Sequence, residues 1–327
     1  MILNINHKKS YFLSILAVAL LSLIYCTTGG VIHFLAGIMV GALIGISVTK
    51  HHYIYVALQS ALCVALLAAF HGFSGGAYGA LAGLTAGVIL VLIGIGLGLS
   101  SNLSMSVSAT VLMSSLIYLA NMLIGFFALG REIPFDMLIG EMRAVYTEVL
   151  EMQYAGLPEI TQKADEIINS IMGMTIKFMP SVLICSAGVL GLIQSYIYRV
   201  MLPKFNKNAK IESFSMLRAE RTIGVLFIVI CIALSISQNV LICDALLNLV
   251  VIMGFVFFIC GLSYIDFSMR HKGKNKTHRA IMIIVVIPLI TMFFALPAII
   301  VAGVGFFDSL INFRKRKAFR EDKNGNE

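Results

Sequence analysis

Apolar residues run along this chain in blocks close to the length of a membrane-spanning helix, with short polar breaks between them. The hydrocarbon core of a bilayer is about 30 Å thick and takes roughly 20 apolar residues of α-helix. The blocks predict spans over 11–26, 29–48, 53–70, 77–100, 105–129, 176–199, 222–240, 244–265, 280–296 and 297–312. The last two surround Pro288 and Ala295-Leu296-Pro297-Ala298. They read as two short spans joined by a tight hairpin, or as one long kinked helix over 280–312. The stretch 131–175 breaks the pattern and is polar enough to lie outside the membrane. Within it Leu138, Met142, Val145, Val149 and Met152 recur at helical spacing, which predicts an amphipathic helix on the membrane surface. Gly156-Leu157-Pro158 is expected to end that helix, and a second short one to follow over 159–172.

Charge gives the spans a direction. Lys8 and Lys9 precede the first span and place the N-terminus in the cytoplasm. Alternation then puts three basic stretches on the same side: Lys50, the loop from Arg199 to Arg221, and the loop from Arg270 to Arg279. The tail with Arg314, Lys315, Arg316, Lys317 and Arg320 belongs there too, which requires an even number of spans and favours the hairpin. The 131–175 loop falls outside and carries eight acids against three bases, in agreement with that side. The first span is followed by Thr27-Thr28-Gly29-Gly30 and further spans, so it reads as an uncleaved helix rather than a signal peptide.

These elements define an all-α, polytopic transmembrane bundle of about eight to ten spans. Its parts are an N-terminal membrane half (1–130), an acidic helical loop (131–175), a C-terminal membrane half (176–312) and a basic, polar tail (313–327). Composition agrees. Of 327 residues 59% are hydrophobic and 12% charged, against about 25% charged in a soluble domain. The net charge of +8 sits in short loops, which is a topology signal and not a nucleic-acid groove. The six Cys lie in or beside apolar blocks with no CxxC pair, so neither a disulfide framework nor a metal site is expected.

Chemistry has few places to reside. No GxxxxGK[ST], HExxH or GxSxG occurs, so the chain reads as a non-enzyme without a cofactor. Gly37, Gly41 and Gly45 form one small-residue stripe, and Gly75, Gly79, Gly83 and Gly87 form another. Such stripes let helices approach closely, either within the chain or against a partner membrane protein. Among intramembrane polar residues, Tyr118 and Asn121 share a face, Gln194 and Tyr198 share another, and Gln59, Asn248 and His33 stand alone. They are either interhelical hydrogen-bonding groups or the lining of a solute pocket, with Asn121 and Gln194 the preferred pair because amides both donate and accept. Asp308 is the deepest acid and stands six residues before Arg314, so it serves either a structural ion pair or ion coupling.

Two stretches carry a resemblance. Met179-Pro180-Ser181-Val182-Leu183, continuing to Gln194-Ser195-Tyr196-Ile197-Tyr198-Arg199, is similar to the Pro-initiated helix of the YybS-like, DUF2232 family of bacterial membrane proteins. Gly303-Val304-Gly305-Phe306-Phe307-Asp308, running on to Asn312-Phe313-Arg314-Lys315-Arg316, resembles that family's C-terminal signature. A Pro expected before the seventh span is missing from 214–221. The resemblance implies kinship with the substrate-binding subunits of energy-coupling-factor transporters, which have about six helices, bind a vitamin or metal from outside and dock on a partner through small-residue faces. It implies a fold of that kind over roughly 1–200, in a bacterial plasma membrane. The docking spacing on the first helix is not reproduced by Ala17 and Ala19. The leading expectation is a solute-binding or transport-related protein whose pocket opens outward between Asn121 and Gln194, with the acidic loop as a lid. The alternative is a scaffold that recruits partners through its Gly faces and basic loops.

Overall fold

Lipid offers no water to an unpaired backbone N–H or C=O, so a chain crossing it must pair those groups within each span. The computed structural model describes residues 2–50, 53–132, 135–153, 158–206, 213–273, 275 and 295–314, and among these no strand occurs. In chain order the helices are α1 (Ile2–Thr27), α2 (Gly30–Thr49), α3 (Tyr53–Asn102), α4 (Val107–Glu132), α5 (Phe135–Gln153) and α6 (Pro158–Phe205). A short 3-10 turn (Phe214–Met216) then leads to α7 (Arg221–Ile236), α8 (Val240–His271) and α9 (Ala295–Ile311). Five of them, α2, α3, α4, α6 and α8, are long and apolar enough to cross a membrane, and shorter apolar helices lie in α1, α7 and α9.

α3 is two spans folded on each other, matching the separate expectations over 53–70 and 77–100. The break is Gly76, with φ 60° and ψ −145°. That conformation suits glycine because a Cβ would clash with the backbone. The arms 53–75 and 77–102 run antiparallel, and the second glycine stripe is the seam between them. A Cβ on Gly79 would strike the His71 carbonyl, one on Gly83 the Leu67 carbonyl, and one on Gly87 would lie 2.8 Å from the Val64 Cα.

α2 stands at the centre, with nearly every residue from Ala36 to Thr49 buried, as expected of a helix apolar all round. It runs parallel to the second arm of α3. A Cβ on Gly94 would lie 2.8 Å from the Gly41 carbonyl, and one on Gly45 would lie 3.0 Å from the Gly94 carbonyl. α1 covers its other side through Val18, packed with Val40, Ile44, Cys63 and Leu67. α4 and α6 cross antiparallel where Gly191 leaves room for Ser115. α1, α2, the two arms of α3, α4 and α6 therefore make a six-span bundle.

Two sequence boundaries are corrected here. The short helix expected over 159–172 is the first part of α6, which continues through the membrane segment for 48 residues. At 1.5 Å per residue that is about 70 Å, so its first half extends beyond the about 30 Å hydrocarbon core. α5 packs beside that extension, and Arg143 Nη2 donates to Asn169 Oδ1 at 2.6 Å. The division at 175/176 consequently falls inside one helix, and α6 belongs with the N-terminal bundle. The residues of the expected Gly156-Leu157 turn lie outside the described ones, whereas Pro158 opens α6.

Pro180 sits within α6, and α8 answers it. Asn248 accepts from the Ser181 N–H at 3.1 Å and donates to the Lys177 carbonyl at 2.8 Å. Those two backbone groups would pair with each other in an undisturbed helix. Lys177 also bridges Asp244 at 2.6 Å. This amide joins the six-span bundle to the second one.

The second bundle is α7, α8 and α9. Phe227, Phe257 and Phe306 meet edge to face at centroid distances of 5.2–5.5 Å. Gly261 faces the Val301 backbone, and Gly305 faces the Phe257 carbonyl. Gly224 lies against Ser309 and Leu310 while Phe227 meets Phe306, so α9 is antiparallel to α7 and parallel to α8. A single helix over 280–312 following directly from the 270–279 loop would instead run antiparallel to α8. The first limb of the expected hairpin, 280–296, lies almost wholly outside the described residues. The last described residue, Arg314, lies at the α8 C-terminal end. Lys50 reaches both Tyr11 and Phe205, so the start of α1 stands at that same basic end.

Gly83→Leu is expected to lower the stability of the purified protein by about 3 kcal/mol, since overpacking against backbone cannot be relieved by a rotamer change. Gly254→Ala, with open space around it, is expected to be near neutral. Thermal unfolding in detergent, read by size-exclusion profile after heating, checks both.

Candidate polar cavity between α1, α2, α4 and α6

The five polar residues proposed for one pocket separate into three places. Gln59 Nε2 donates to Ser14 Oγ at 3.0 Å, tying α3 to α1. Tyr198 shares a 2.7 Å hydrogen bond with Thr49 at the basic end, tying α6 to α2. Gln194 joins three helices: its Oε1 accepts from Tyr118 at 3.0 Å, and its Nε2 donates to the Ile38 carbonyl at 3.0 Å. Gly41 supplies the space, since a Cβ there would lie 3.1 Å from Nε2. The expected Asn121–Gln194 pair is not formed. Both ends of the buried Gln194 amide are already engaged, so it works as an interhelical tie rather than as a ligand group.

Asn121 is left over from this network. Its side chain makes no hydrogen bond to any described residue. It lines a cavity of about 120 Å³ together with Tyr25, His33, Tyr118, Gly37 and Leu190. His33 Nδ1 lies 2.6 Å from the Tyr25 carbonyl, and the two rings stack at 3.7 Å. A carbonyl only accepts, so Nδ1 carries a proton toward it, and in the neutral tautomer with that arrangement Nε2 is an acceptor. Gly37 allows this stack because it has no side chain beside the Tyr25 ring. The cavity thus offers an amide that donates and accepts, and an imidazole acceptor.

Sequence reading singled out His33 and Asn121 and missed Tyr25. Nothing in the chain's pattern shows that the Tyr25 ring folds back across the Thr27–Gly30 turn onto His33. The expected lid is not part of the site either: no described residue of α5 lines the cavity. The glycine stripes are occupied by this chain's own helices, except for Gly75, which has open space around it.

At the basic end Asp308 and Arg314 form a second buried polar centre. Arg314 Nε donates to Asp308 Oδ2 at 2.9 Å. Its Nη1 donates to the Ser215 carbonyl and to Ser263 Oγ at 3.3 Å, and its Nη2 to the Cys260 carbonyl at 3.5 Å. The guanidinium lies over the rings of Tyr264 and Phe267, 5.9 and 5.5 Å from their centroids. Five donors in a planar fork make Arg suited to such a site. The pair fastens the end of α9 to α8 and to the 3-10 turn.

Stacked apolar helices, buried interhelical amides and a basic end define a polytopic helical membrane protein. Residues 16–309 match the family described as "Predicted membrane protein (DUF2232)", and the chain belongs to that family. No curated protein and no solved structure matches the chain.

Arg314→Ala leaves Asp308 charged and buried, and is expected to cost about 3–5 kcal/mol. The double replacement Asp308→Leu with Arg314→Met removes both charges and is expected to recover most of that loss. A double-mutant cycle on thermal stability measures the coupling.

Proposed function

We propose that this protein is a solute-binding membrane protein of the substrate-binding-subunit type, and that recognition takes place in the cavity lined by Tyr25, His33, Tyr118 and Asn121. The observation that carries the reading is the half-buried Asn121 amide, which lines the cavity without a hydrogen-bond partner among the described residues, beside a Gln194 amide engaged at both ends. An unpaired amide in that setting is costly unless something else completes it. The six-span arrangement of α1 to α4 and α6 is the helix number that kinship with energy-coupling-factor subunits implies. Gln194 holds α2, α4 and α6 in register and so fixes the cavity wall without touching the solute. The scaffold reading is less supported, because every stripe glycine but Gly75 packs against this chain's own helices.

The test is thermal stability of the purified protein against vitamins, nucleosides and small neutral polar solutes. A binder raises the melting temperature. His33→Ala and Asn121→Ala abolish that rise, while Gln59→Ala, which lies in a different contact, keeps it. A flat panel, together with neutral behaviour of the His33 and Asn121 variants in cells, rejects the reading.

In a bacterial plasma membrane the end carrying Lys50, Lys204, Arg270 and Arg314 faces the cytoplasm, and the cavity opens toward the outside. Single cysteines on a cysteine-free background report this. A cysteine at Lys204 is expected to be blocked by membrane-impermeant maleimide only after the cells are opened, and one at Glu148 to be blocked in intact cells. The reverse labelling pattern inverts the topology.

A further inference from the structure

The polar cavity is small. Its 120 Å³ is below the about 300–1,000 Å³ of sites that enclose a drug-sized ligand. It has a larger neighbour. A groove of about 510 Å³ runs between α4 and the second arm of α3, from Met105 and Ala109 at one end to Asn121 and Ile124 at the other. Asn121 is the one polar side chain among its lining residues. Asn121 and Ile89 line both spaces, so the groove and the cavity share a wall at that point. Leu92, Leu112 and Leu116 on the groove are exposed, which on an apolar membrane helix means exposed to lipid.

We infer that the ligand of the cavity is an amphiphile, with an uncharged hydrogen-bonding head at Asn121 and His33 and an apolar tail lying in the α3–α4 groove, and that it enters sideways from the bilayer. This rests on the solute-binding reading and names its substrate class. Neither space has an Asp, Glu, Lys or Arg among its lining residues, so a charged head would be left uncompensated in a low-dielectric site. A hydroxyl, amide or carbonyl head matches the available groups: the amide of Asn121 gives and takes a hydrogen bond, and His33 Nε2 takes one. The tail gains no hydrophobic energy on moving from lipid to the groove, since lipid is equally apolar. Selectivity therefore resides in the head, and the groove supplies alignment and a route. A water-soluble ligand would have no use for an apolar groove that follows α4 from Ala109 to Ile124.

The experiment uses the full protein in lipid nanodiscs and a long-chain fatty alcohol with a diazirine in its tail. Photolabelling is expected on α4 peptides containing Leu112, Met113 and Leu116, and excess unlabelled alcohol should compete it away. The fatty acid of equal length, ionised at pH 8, should compete poorly. Ala120→Trp fills an exposed position of the groove next to Asn121 and should abolish the competed label. Asn121→Ala should lower it about threefold, the weight of one hydrogen bond in a membrane. Label spread evenly over lipid-facing helices, or unchanged in both variants, overturns the inference. If a water-soluble solute still raises the melting temperature of Ala120→Trp while the alcohol never labels, the lateral amphiphile is wrong and solute binding stands. If neither ligand binds, both readings fail.

Discussion

Close backbone approach at glycine holds this protein together. In water, apolar helices associate because burial removes surface from solvent. In a bilayer that force is absent between spans, since a neighbouring lipid tail is as apolar as a neighbouring leucine. What remains is dispersion at short range and hydrogen bonding, and both require helices to come near. Gly79, Gly83 and Gly87 bring the two arms of α3 together, Gly41, Gly45 and Gly94 do so for α2 and α3, and Gly261 and Gly305 do so for α8 and α9. A larger residue at most of these positions would meet a carbonyl or a Cα rather than a side chain that can turn away.

Polar side chains act on this frame as ties at chosen points. Gln194 needs the gap that Gly41 leaves; Asn248 engages the backbone beside Pro180; Arg314 needs Asp308, the Ser215 carbonyl and two aromatic rings to remain buried. Each tie joins helices far apart in sequence, so each fixes a register that apolar packing leaves loose. The same reasoning isolates Asn121. Gln194 beside it is engaged at both ends, whereas the Asn121 side chain has no partner among the described residues.

Two bundles meet along α6. The first, of six spans, contains the cavity; the second, α7 to α9, carries the basic end and the buried Arg314. Asn248 links them at the helical step beside Pro180, on the helix that also carries Gln194.

The sequence by itself determined the class of fold and, among the described residues, where most of the apolar helices lie, because apolar run length is a property of single segments. It determined that the glycine spacings were contact faces, and that Asp308 and Arg314 stood within reach of each other on one short stretch. It did not determine which helix met each face. The stripe from Gly79 to Gly87 reads the same whether it meets a partner protein or the chain's own first arm, and the turn at Gly76 decides for the latter. Nor did it separate Asn121 from Gln194, since both are amides on apolar helices. Only the tertiary structure decided that Tyr118 and the Ile38 carbonyl take up Gln194 and leave Asn121 at the cavity. The physical reason is that a hydrogen bond between helices depends on their mutual rotation and approach, which no local pattern encodes.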